Sequence, residues 1–324
     1  MKKSNDLKFI SEILGFSPYK QSFKQALVAL FGEKDIPRSK FGLSSLKQLH
    51  PKIGLPLWRG KPYLEKTVII SNLFNHTQTP IEAGWSVEKT QVLDFRGKKL
   101  TYNSHNGTDF TVPVGSTVCT AAPGKVVSIR SEFNRGGKKI FIDHGRGLMT
   151  TYAHLARTLV KVGDKVERGQ PIALSGYSGI DGMITFPFGL PHVHFNVWLN
   201  CKPVDPFPYD SKASLWKAGN LPESATYLPS NEKLFLSEYN LEKLQKVIHS
   251  CKTERIRNHL LNIPKAEFQA AETIIEMNYY PTRFEVKENI YWNEFERKPF
   301  LDLPFLKEEF ENVVFLDDLL EQKN

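Results

Sequence analysis

Cysteine is scarce in this chain, with three residues among 324 (Cys119, Cys201 and Cys251) and no CxxC pair. This count excludes a disulfide framework and a zinc-finger spacing, and we expect three ordinary buried thiols. Long apolar runs are also missing. No segment has the roughly 20 apolar residues of a membrane-spanning helix, and MKKSNDLKFISEILGFS at the start contains no apolar stretch of signal-peptide length. We therefore expect neither a membrane span nor a readable export signal.

The charge is basic but uneven. The net charge is +8, whereas residues 301–324 hold seven acidic residues against two lysines, so the rest of the chain is more basic still. A basic body suits an anionic polymer such as nucleic acid or cell wall, but a general surface excess is the simpler interpretation. No DNA- or RNA-binding motif accompanies it, so we predict no nucleic-acid partner.

Composition divides the chain into three regions. Residues 1–83 form a mixed accessory segment in which YKQSFKQALVALFGEK predicts a helix ending at Gly32, and HPKIGLPLWRGKPYL predicts a loop. Residues 84–210 predict a β domain, because TQVLDF, KKLTY, GKVVSIRSE, KKIFIDHG, MTTYAHL, QPIALSG and HVHFNVWLN alternate with turns. Residues 211–324 predict helices in SEYNLEKLQKVIHSCKTERIRNHLLN, in KAEFQAAETIIEMN and near the acidic end.

The expected fold class is α+β overall. Its mostly β core would be a small antiparallel barrel or sandwich, flanked by helical segments. We predict a helix face formed by Leu241, Leu244, Ile248 and Cys251, which belongs to the core of the third region.

The β region holds five residues suited to a metal centre. In GLPHVHFNVW, His192 and His194 lie two positions apart on a predicted strand, so they leave the same face while Val193, Phe195 and Val197 face a core. Other candidates are His105 and Asp109 in SHNGTDF, where Asn-Gly permits a sharp turn, and His154 in TYAHL. Imidazoles and a carboxylate are zinc ligands, and a catalytic site keeps one position open.

These motifs together resemble the M23 metallopeptidases, the lysostaphin/LytM family. The resemblance includes HNGTD, YAHL and PHVHF in this order, together with FTVPVGSTV, AAPGKVVSI, IDHGRGLMTTYAHL, VKVGDKVERGQPIALSG and KPVDPFPY, and it covers about residues 84–210. It implies one zinc ion per chain, with His105, Asp109 and His194 as ligands. It also implies that His154 and His192 are catalytic, and that peptidoglycan or another peptide is the substrate.

General chemistry agrees with that implication. The chain has no HExxH motif, so another group must handle the proton, and a neutral imidazole does so near pH 7. One of His154 and His192 would be the general base and the other a donor to the developing oxyanion. The sequence leaves open which is which.

Three departures from the family pattern stand close to these motifs. Residues 180–190, IDGMITFPFGL, make a longer and more apolar connection than the family usually has, which predicts a lid, a specificity wall or a packed surface loop. Leu190 replaces a usual Gly. Asn196 stands where many members carry Glu, on the same strand face as His194, so the support of that ligand would differ.

Other residues have ordinary explanations. We expect His144 to cap a strand or turn and Tyr152, on the strand face of His154, to belong to the core. Outside the β region, a solvated position is expected for four histidines: His50, His76, His249 and His259. The segment APGKVVSI…VKVGDKVERGQPIALSG also resembles biotinyl/lipoyl carrier domains, but YSGIDG follows it and supplies no lysine for the cofactor.

The sequence thus predicts a zinc-dependent endopeptidase that hydrolyses peptide bonds in peptidoglycan cross-bridges or stem peptides. The alternative is an inactive M23-like protein that binds wall peptides or regulates a partner amidase. Localisation stays open, because the inferred substrate lies outside the cytoplasm and no export signal is readable. The oligomeric state and the bond cleaved also stay open.

Overall fold

The computed structural model of the chain describes residues 10–78, 80, 82, 84–227 and 232–322. Helices occupy both ends of this part of the chain and strands its middle. The helices α1 to α8 are, in order, Ile10–Leu14, Tyr19–Phe31, Pro51–Trp58, Ile180–Thr185, Leu241–His249, Glu254–Leu261, Ala266–Tyr279 and Leu316–Glu321.

The strands are short at both ends of the chain and longest between residues 124 and 199. The strands β1 to β15 are Ser39–Lys40, Thr67–Asn72, Trp85–Ser86, Thr108–Thr111, Thr117–Cys119, Gly124–Glu132, Gly137–Asp143, Leu148–Thr158, Lys165–Val166, Pro171–Ser175, His192–Leu199, Lys202–Val204, Ser224–Ala225, Leu303–Leu306 and Asn312–Phe315.

One eleven-stranded sheet organises the described residues. Its main order is β15-β2-β4-β11-β8-β7-β6-β9, β10 joins it beside β8 and β5, and β12 extends the β11 hairpin. All pairings in it are antiparallel except β15 with β2. The strand path is open between β15 and β9, so the fold is α+β with a mixed sheet, and the barrel or sandwich detail stays a prediction.

Both faces of the sheet are covered. On β7, Ile140 and Ile142 enter one apolar core while Phe141, between them, enters another, as the two-residue period of a strand requires. The first core continues to α3 and α8, and the second is closed by α5, α6 and α7. Burial on both faces explains why these strands read as nearly continuous apolar runs.

Strand β15 forms one edge of this sheet. Strand β15 pairs with β2 from Asn312↔Thr67 to Phe315↔Ile70. Next to this edge, Arg96 donates hydrogen bonds to Asp317 at 2.8 and 3.0 Å, and Lys98 donates to Asp318 at 2.6 Å. Part of the acidic excess near the C-terminus therefore neutralises a basic turn that precedes the site.

Several sequence predictions are confirmed. Helix α2 ends at Gly32, whose φ of 77° is the left-handed conformation that glycine adopts most easily. The helices predicted in the third region are present, including the acidic α8, and five of the seven predicted β runs are strands. The buried side of the amphipathic stripe holds Leu244, Ile248 and Cys251, while Leu241 is exposed.

Other predictions are wrong. The segment HPKIGLPLW is helix α3, because Pro51 lies at a first-turn position where its missing N–H costs nothing and Ile53, Leu57 and Trp58 supply a buried face. TQVLDF and KKLTY are not strands. There the Asp94 carboxylate accepts backbone hydrogen bonds from residues 96, 98 and 100, and closes a loop instead.

Two absences hold for the described residues. None of their helices is long and apolar enough to cross a bilayer. The three cysteines are buried free thiols, as predicted.

Candidate metal centre

The register of neighbouring strands brings the predicted ligands together. On adjacent strands, His194 of β11 is the direct partner of Asp109 of β4. On the other side of β4, Asn72 at the end of β2 is also a partner of Asp109. The turn before β4 carries His105. The sheet therefore assembles this site from residues 89 positions apart in sequence.

Three donor atoms converge at this point. The His105 Nε2 and Asp109 Oδ1 atoms are 3.0 Å apart, His194 Nδ1 lies 2.7 Å from Asp109 Oδ1, and the two imidazole nitrogens are 3.2 Å apart. Atoms bound to one zinc ion at about 2.0–2.2 Å cannot be more than about 4.4 Å apart. Among the described residues this is the one His/Cys/Asp/Glu group with such a geometry.

The protonation of His105 suits a ligand. Its Nδ1 lies 2.6 Å from the Leu73 carbonyl oxygen, which can only accept, so Nδ1 carries the hydrogen. The lone pair is then on Nε2, the atom that faces Asp109 and His194. The ring is 1% exposed and packs against Tyr102, so its orientation is fixed.

Asp109 is the electrostatic centre of the group. Burial acts to raise the pKa of its carboxyl, but the surrounding imidazoles, with His105 first, lower that pKa well below its usual value. The second oxygen, Oδ2, accepts a hydrogen bond of 2.9 Å from the Asn72 amide. A buried carboxylate is thus held ionised and directed at the imidazole nitrogens.

The turn that carries His105 requires glycine at position 107. A Cβ there would lie 2.6 Å from the Phe195 carbonyl oxygen and 2.9 Å from both His194 Nε2 and Asn196 Nδ2. Such a close approach is available to glycine alone. Gly107 therefore allows the turn to lie directly on strand β11 beside a predicted ligand.

Asn196 lies beside the third predicted ligand on the same strand face and holds the Asn106 turn. Its Nδ2 donates to the Asn106 carbonyl oxygen and to Asn106 Oδ1, at 2.8 and 2.9 Å, and lies 3.0 Å from His194 Nε2. Its Oδ1 accepts from the Tyr279 hydroxyl at 3.2 Å. An amide network therefore occupies the place where the family pattern has Glu.

The other two histidines form a pair beside the predicted ligands. His154 Nδ1 donates to the Ser178 carbonyl oxygen at 2.7 Å, and His192 Nδ1 donates to the Leu190 carbonyl oxygen at 2.8 Å. Both therefore keep the lone pair on Nε2. Their rings lie 4.9 Å apart, and Tyr177 packs against both. Burial and the neighbouring His192 lower the pKa of His154 well below its usual value.

A backbone irregularity brings His154 into this group. Its φ is 61°, a left-handed value that is uncommon outside glycine, and the β7–β8 register shifts opposite it. A bulge re-aims the side chain. As a result His154 lines the site, while Tyr152 lies in the core with its hydroxyl accepting from the Ala121 N–H. The core role of Tyr152 is confirmed, but its expected common face with His154 is wrong.

Two cavities meet at the centre. The larger, of about 490 Å³, is lined by His154 and His194 together with residues of the β6–β7 turn and of α7. The smaller, of about 240 Å³, is lined by Asp109, His154 and His192 together with residues 41–49 and 184–190. Residues 180–190, the segment that departs from the family pattern, thus contain helix α4 and form a wall beside the site.

The remaining histidines have structural roles or lie at the surface. His144 donates from Nδ1 to the Pro123 carbonyl oxygen and contacts Thr150 Oγ1, so the predicted structural role is confirmed. His249 and His259 are exposed, as predicted. The solvated position predicted for His76 is wrong, because its ring stacks on Tyr209 and its Nε2 lies 2.9 Å from Asp205 Oδ2. His50 is half-buried.

Sequence reasoning missed two partners of the ligands. Asn72 and the Leu73 carbonyl lie at the end of β2, more than 30 residues before His105. No local pattern links TVIISN to the HNGTD turn. Only the pairing of β2 with β4 brings them together.

Part of this chain is similar to known proteins. Residues 103–206 match the sequence model of peptidase family M23. The peptidoglycan DD-endopeptidase ShyA of Vibrio cholerae is 38% identical over 133 residues, 40% of this chain and 28% of that protein. Lysostaphin of Staphylococcus staphylolyticus is 36% identical over 120 residues, 36% of this chain and 24% of that protein.

A solved structure of a zinc-containing peptidase from Vibrio cholerae is 30% identical, with a TM-score of 0.30, and covers 47% of this chain and 43% of that one. The chain spans about a quarter of the length of ShyA and lysostaphin. All five residues of the site lie within residues 103–206. Residues 103–206 of this chain are a domain of peptidase family M23.

Proposed function

We propose that the chain is a zinc-dependent endopeptidase that hydrolyses peptide bonds in peptidoglycan cross-bridges or stem peptides. The main observation behind this proposal is that three donor atoms lie within 3.2 Å of one another. Next to them lie two imidazoles whose Nδ1–H groups bind backbone carbonyls, so that the Nε2 lone pairs are free. Peptidoglycan is the proposed substrate because the relatives include proteins named peptidoglycan DD-endopeptidases.

The ligand set fits zinc. His105 Nε2, Asp109 Oδ1 and His194 Nδ1 would hold one ion per chain, and two nitrogens with one carboxylate leave the fourth position of a tetrahedral site for water. When bound, zinc supplies a Lewis acid that lowers the pKa of water and polarises a carbonyl group.

His154 and His192 would manage the protons. Each holds its hydrogen on Nδ1 against a carbonyl oxygen and presents a basic Nε2, so either can accept a proton there and later donate it to the leaving amine. The other could donate to the developing oxyanion only as imidazolium, with a second hydrogen on Nε2. Their equivalent tautomers leave both assignments open.

Digestion of purified peptidoglycan with and without a chelator tests the function. We expect released fragments, identified by mass, that disappear with chelator and return with zinc. Absence of bound zinc, or fragments that persist in chelator, would contradict the proposal. Sedimentation of the protein with peptidoglycan but no fragments would instead favour the alternative, an inactive wall-peptide-binding or amidase-regulating protein.

The domain division accompanies this proposal. We assign catalysis to residues 84–210, with a small antiparallel barrel or sandwich as its core, and accessory roles to residues 1–83 and 211–324. The open sheet and the strands β2 and β15 at its edge support a broader structural unit around that core.

A further inference from the structure

The turn between β6 and β7 carries an arginine into the larger cavity beside the metal centre. Arg135 lines this cavity together with His154 and His194. Its backbone is fixed, because the Gly136 carbonyl oxygen accepts from the His154 N–H at 2.8 Å. At Gly137, φ is 60° and a Cβ would lie 2.2 Å from the Ser178 carbonyl oxygen. The turn is therefore clamped to the two backbone segments that orient His154.

Arg135 forms no salt bridge with a carboxylate of the described residues, although Asp181 acts on it electrostatically. Its Nε and Nη2 atoms are buried without a hydrogen-bond partner, and no ion pair forms between its guanidinium and any carboxylate of the described residues. The guanidinium lies over the Trp85 ring. Burial lowers the pKa of this side chain well below its usual value, although Tyr280 and Asp181 act to raise it.

Three other arginines of low exposure are paired with glutamates. Arg130 and Arg283 both contact Glu276, at 2.8 and 2.7 Å, and Arg168 contacts Glu232 at 2.6 Å. Burying a cation without a partner destabilises the folded state. Arg135 is partly buried without such a pair, and it lines the cavity beside the candidate metal centre.

The charges around the cavity leave this position available. Lys202, Lys287, Asp181 and Glu288 also line it, and Glu288 is paired with Lys246 at 3.0 Å. Asp181 attracts Arg135 electrostatically but forms no salt bridge with it. Trp85, Tyr102 and Tyr279 supply aromatic walls, which exclude water and strengthen a charged hydrogen bond.

We propose that Arg135 binds a free carboxylate of the peptide substrate and thereby selects peptides that carry one near the scissile bond. A guanidinium matches a carboxylate with two parallel hydrogen bonds, which a lysine or a neutral side chain cannot reproduce. This inference rests on the proposed function for the meaning of the substrate, but the binding itself does not require hydrolysis.

The test compares two forms of one probe. A purified cross-linked muropeptide dimer is used with its carboxylates free, and after conversion to carboxamides with carbodiimide and ammonium. Binding to chelator-treated protein, which cannot hydrolyse the probe, is measured by titration calorimetry. For the wild type we expect the amidated dimer to bind about 10- to 100-fold more weakly, the range for a charge-assisted hydrogen bond.

Variants assign this preference to one side chain. Arg135→Met should bind both forms equally and weakly, Arg135→Lys should keep part of the preference, and Arg255→Met, a matched change at an exposed position on α6, should behave as the wild type. The melting temperature of Arg135→Met should stay equal or rise, because an uncompensated cation is removed. If Arg135 served only to stack on Trp85, the melting temperature of Arg135→Met should fall.

The inference is overturned if wild-type protein binds both forms equally or binds neither, or if Arg135→Met keeps the preference. Hydrolysis by zinc-loaded protein is scored separately. Cleavage without any preference would leave the endopeptidase proposal intact and end this one. A preference in binding without cleavage would support the carboxylate site in the inactive alternative.

Discussion

His154 and His144 are buried histidines of the same sheet, and they differ in what their second nitrogen meets. Both donate from Nδ1 to a backbone carbonyl oxygen. His144 Nε2 then contacts Thr150 Oγ1 at 2.8 Å, whereas no hydrogen bond involves His154 Nε2 among the described residues. A buried imidazole with both nitrogens satisfied serves the fold, and one with a free nitrogen facing a cavity is available for chemistry.

The strongest test of this comparison removes the charge that the site histidines share. Asp109→Asn keeps the side-chain shape but loses the carboxylate within 3.5 Å of three imidazole nitrogens. Loss of a residue that only supports a ligand weakens metal binding by at most about 100-fold. Because Asp109 is itself a proposed ligand, we expect a larger fall in zinc affinity and loss of hydrolysis. Metal analysis after gel filtration measures the zinc content. Retention of one zinc per chain would contradict the ligand assignment.

The second test separates proton handling from metal binding. His154→Ala and His192→Ala should lower the hydrolysis rate by about 10²- to 10⁴-fold, the range for a lost general acid or base, while zinc content stays at one per chain. His144→Gln is the matched control and should keep the rate. Equal losses of rate in all three variants would show that the free nitrogen is not what matters.

The third test uses pH and stability. Burial lowers the pKa of His144 to about 4. Between pH 6.5 and 4, His144 is therefore protonated in the unfolded chain but neutral in the folded chain. The free energy of unfolding therefore falls as pH falls through that window, by up to about 3 kcal/mol, and is unaffected by this group above it.

Urea unfolding of chelator-treated protein at pH 7.5, 5.5 and 4.5 measures this dependence. His144→Gln should have a smaller decrease of the free energy of unfolding toward acid than the wild type. An identical decrease in both proteins would mean that His144 does not contribute to it.

The smallest effect concerns the support of a ligand. Asn196→Ala removes the amide that contacts His194 Nε2 and the Asn106 turn. We expect zinc to bind about 10- to 100-fold more weakly, measured by competition with a chromogenic chelator. Asn196→Asp, which supplies an acceptor for a hydrogen on Nε2, should lose less. Unchanged affinity in Asn196→Ala would confine this residue to the fold.

The sequence predicted what short-range periodicity and motif order determine. His192 and His194 share a face opposite the buried Val193, Phe195 and Val197 because strand β11 is regular. Periodicity failed where the backbone departs from it. The left-handed residue at His154 could not be read from TYAHL, and it decides that this ring faces the cavity while Tyr152 does not.

Long-range features were also beyond the sequence. The missing partner of Arg135 is a property of the folded surroundings, since FNRGGKK gives no sign that the arginine will be enclosed beneath Trp85. Similarly, the proline-rich segment at 51–58 is helical only because a buried groove accepts Ile53, Leu57 and Trp58. In both cases tertiary contacts outweigh local preference.

The pairing of β15 with β2 connects residues 312–315 to the distant candidate metal centre. Asn72, which donates a hydrogen bond to Asp109, lies at the end of strand β2. Strand β15, Asn312–Phe315, covers the edge of β2. Loss of residues 312–315 would expose the hydrogen-bonding edge of β2 and would loosen Asp109 on the next strand, β4. We then expect the candidate metal centre to weaken although none of its own residues has changed.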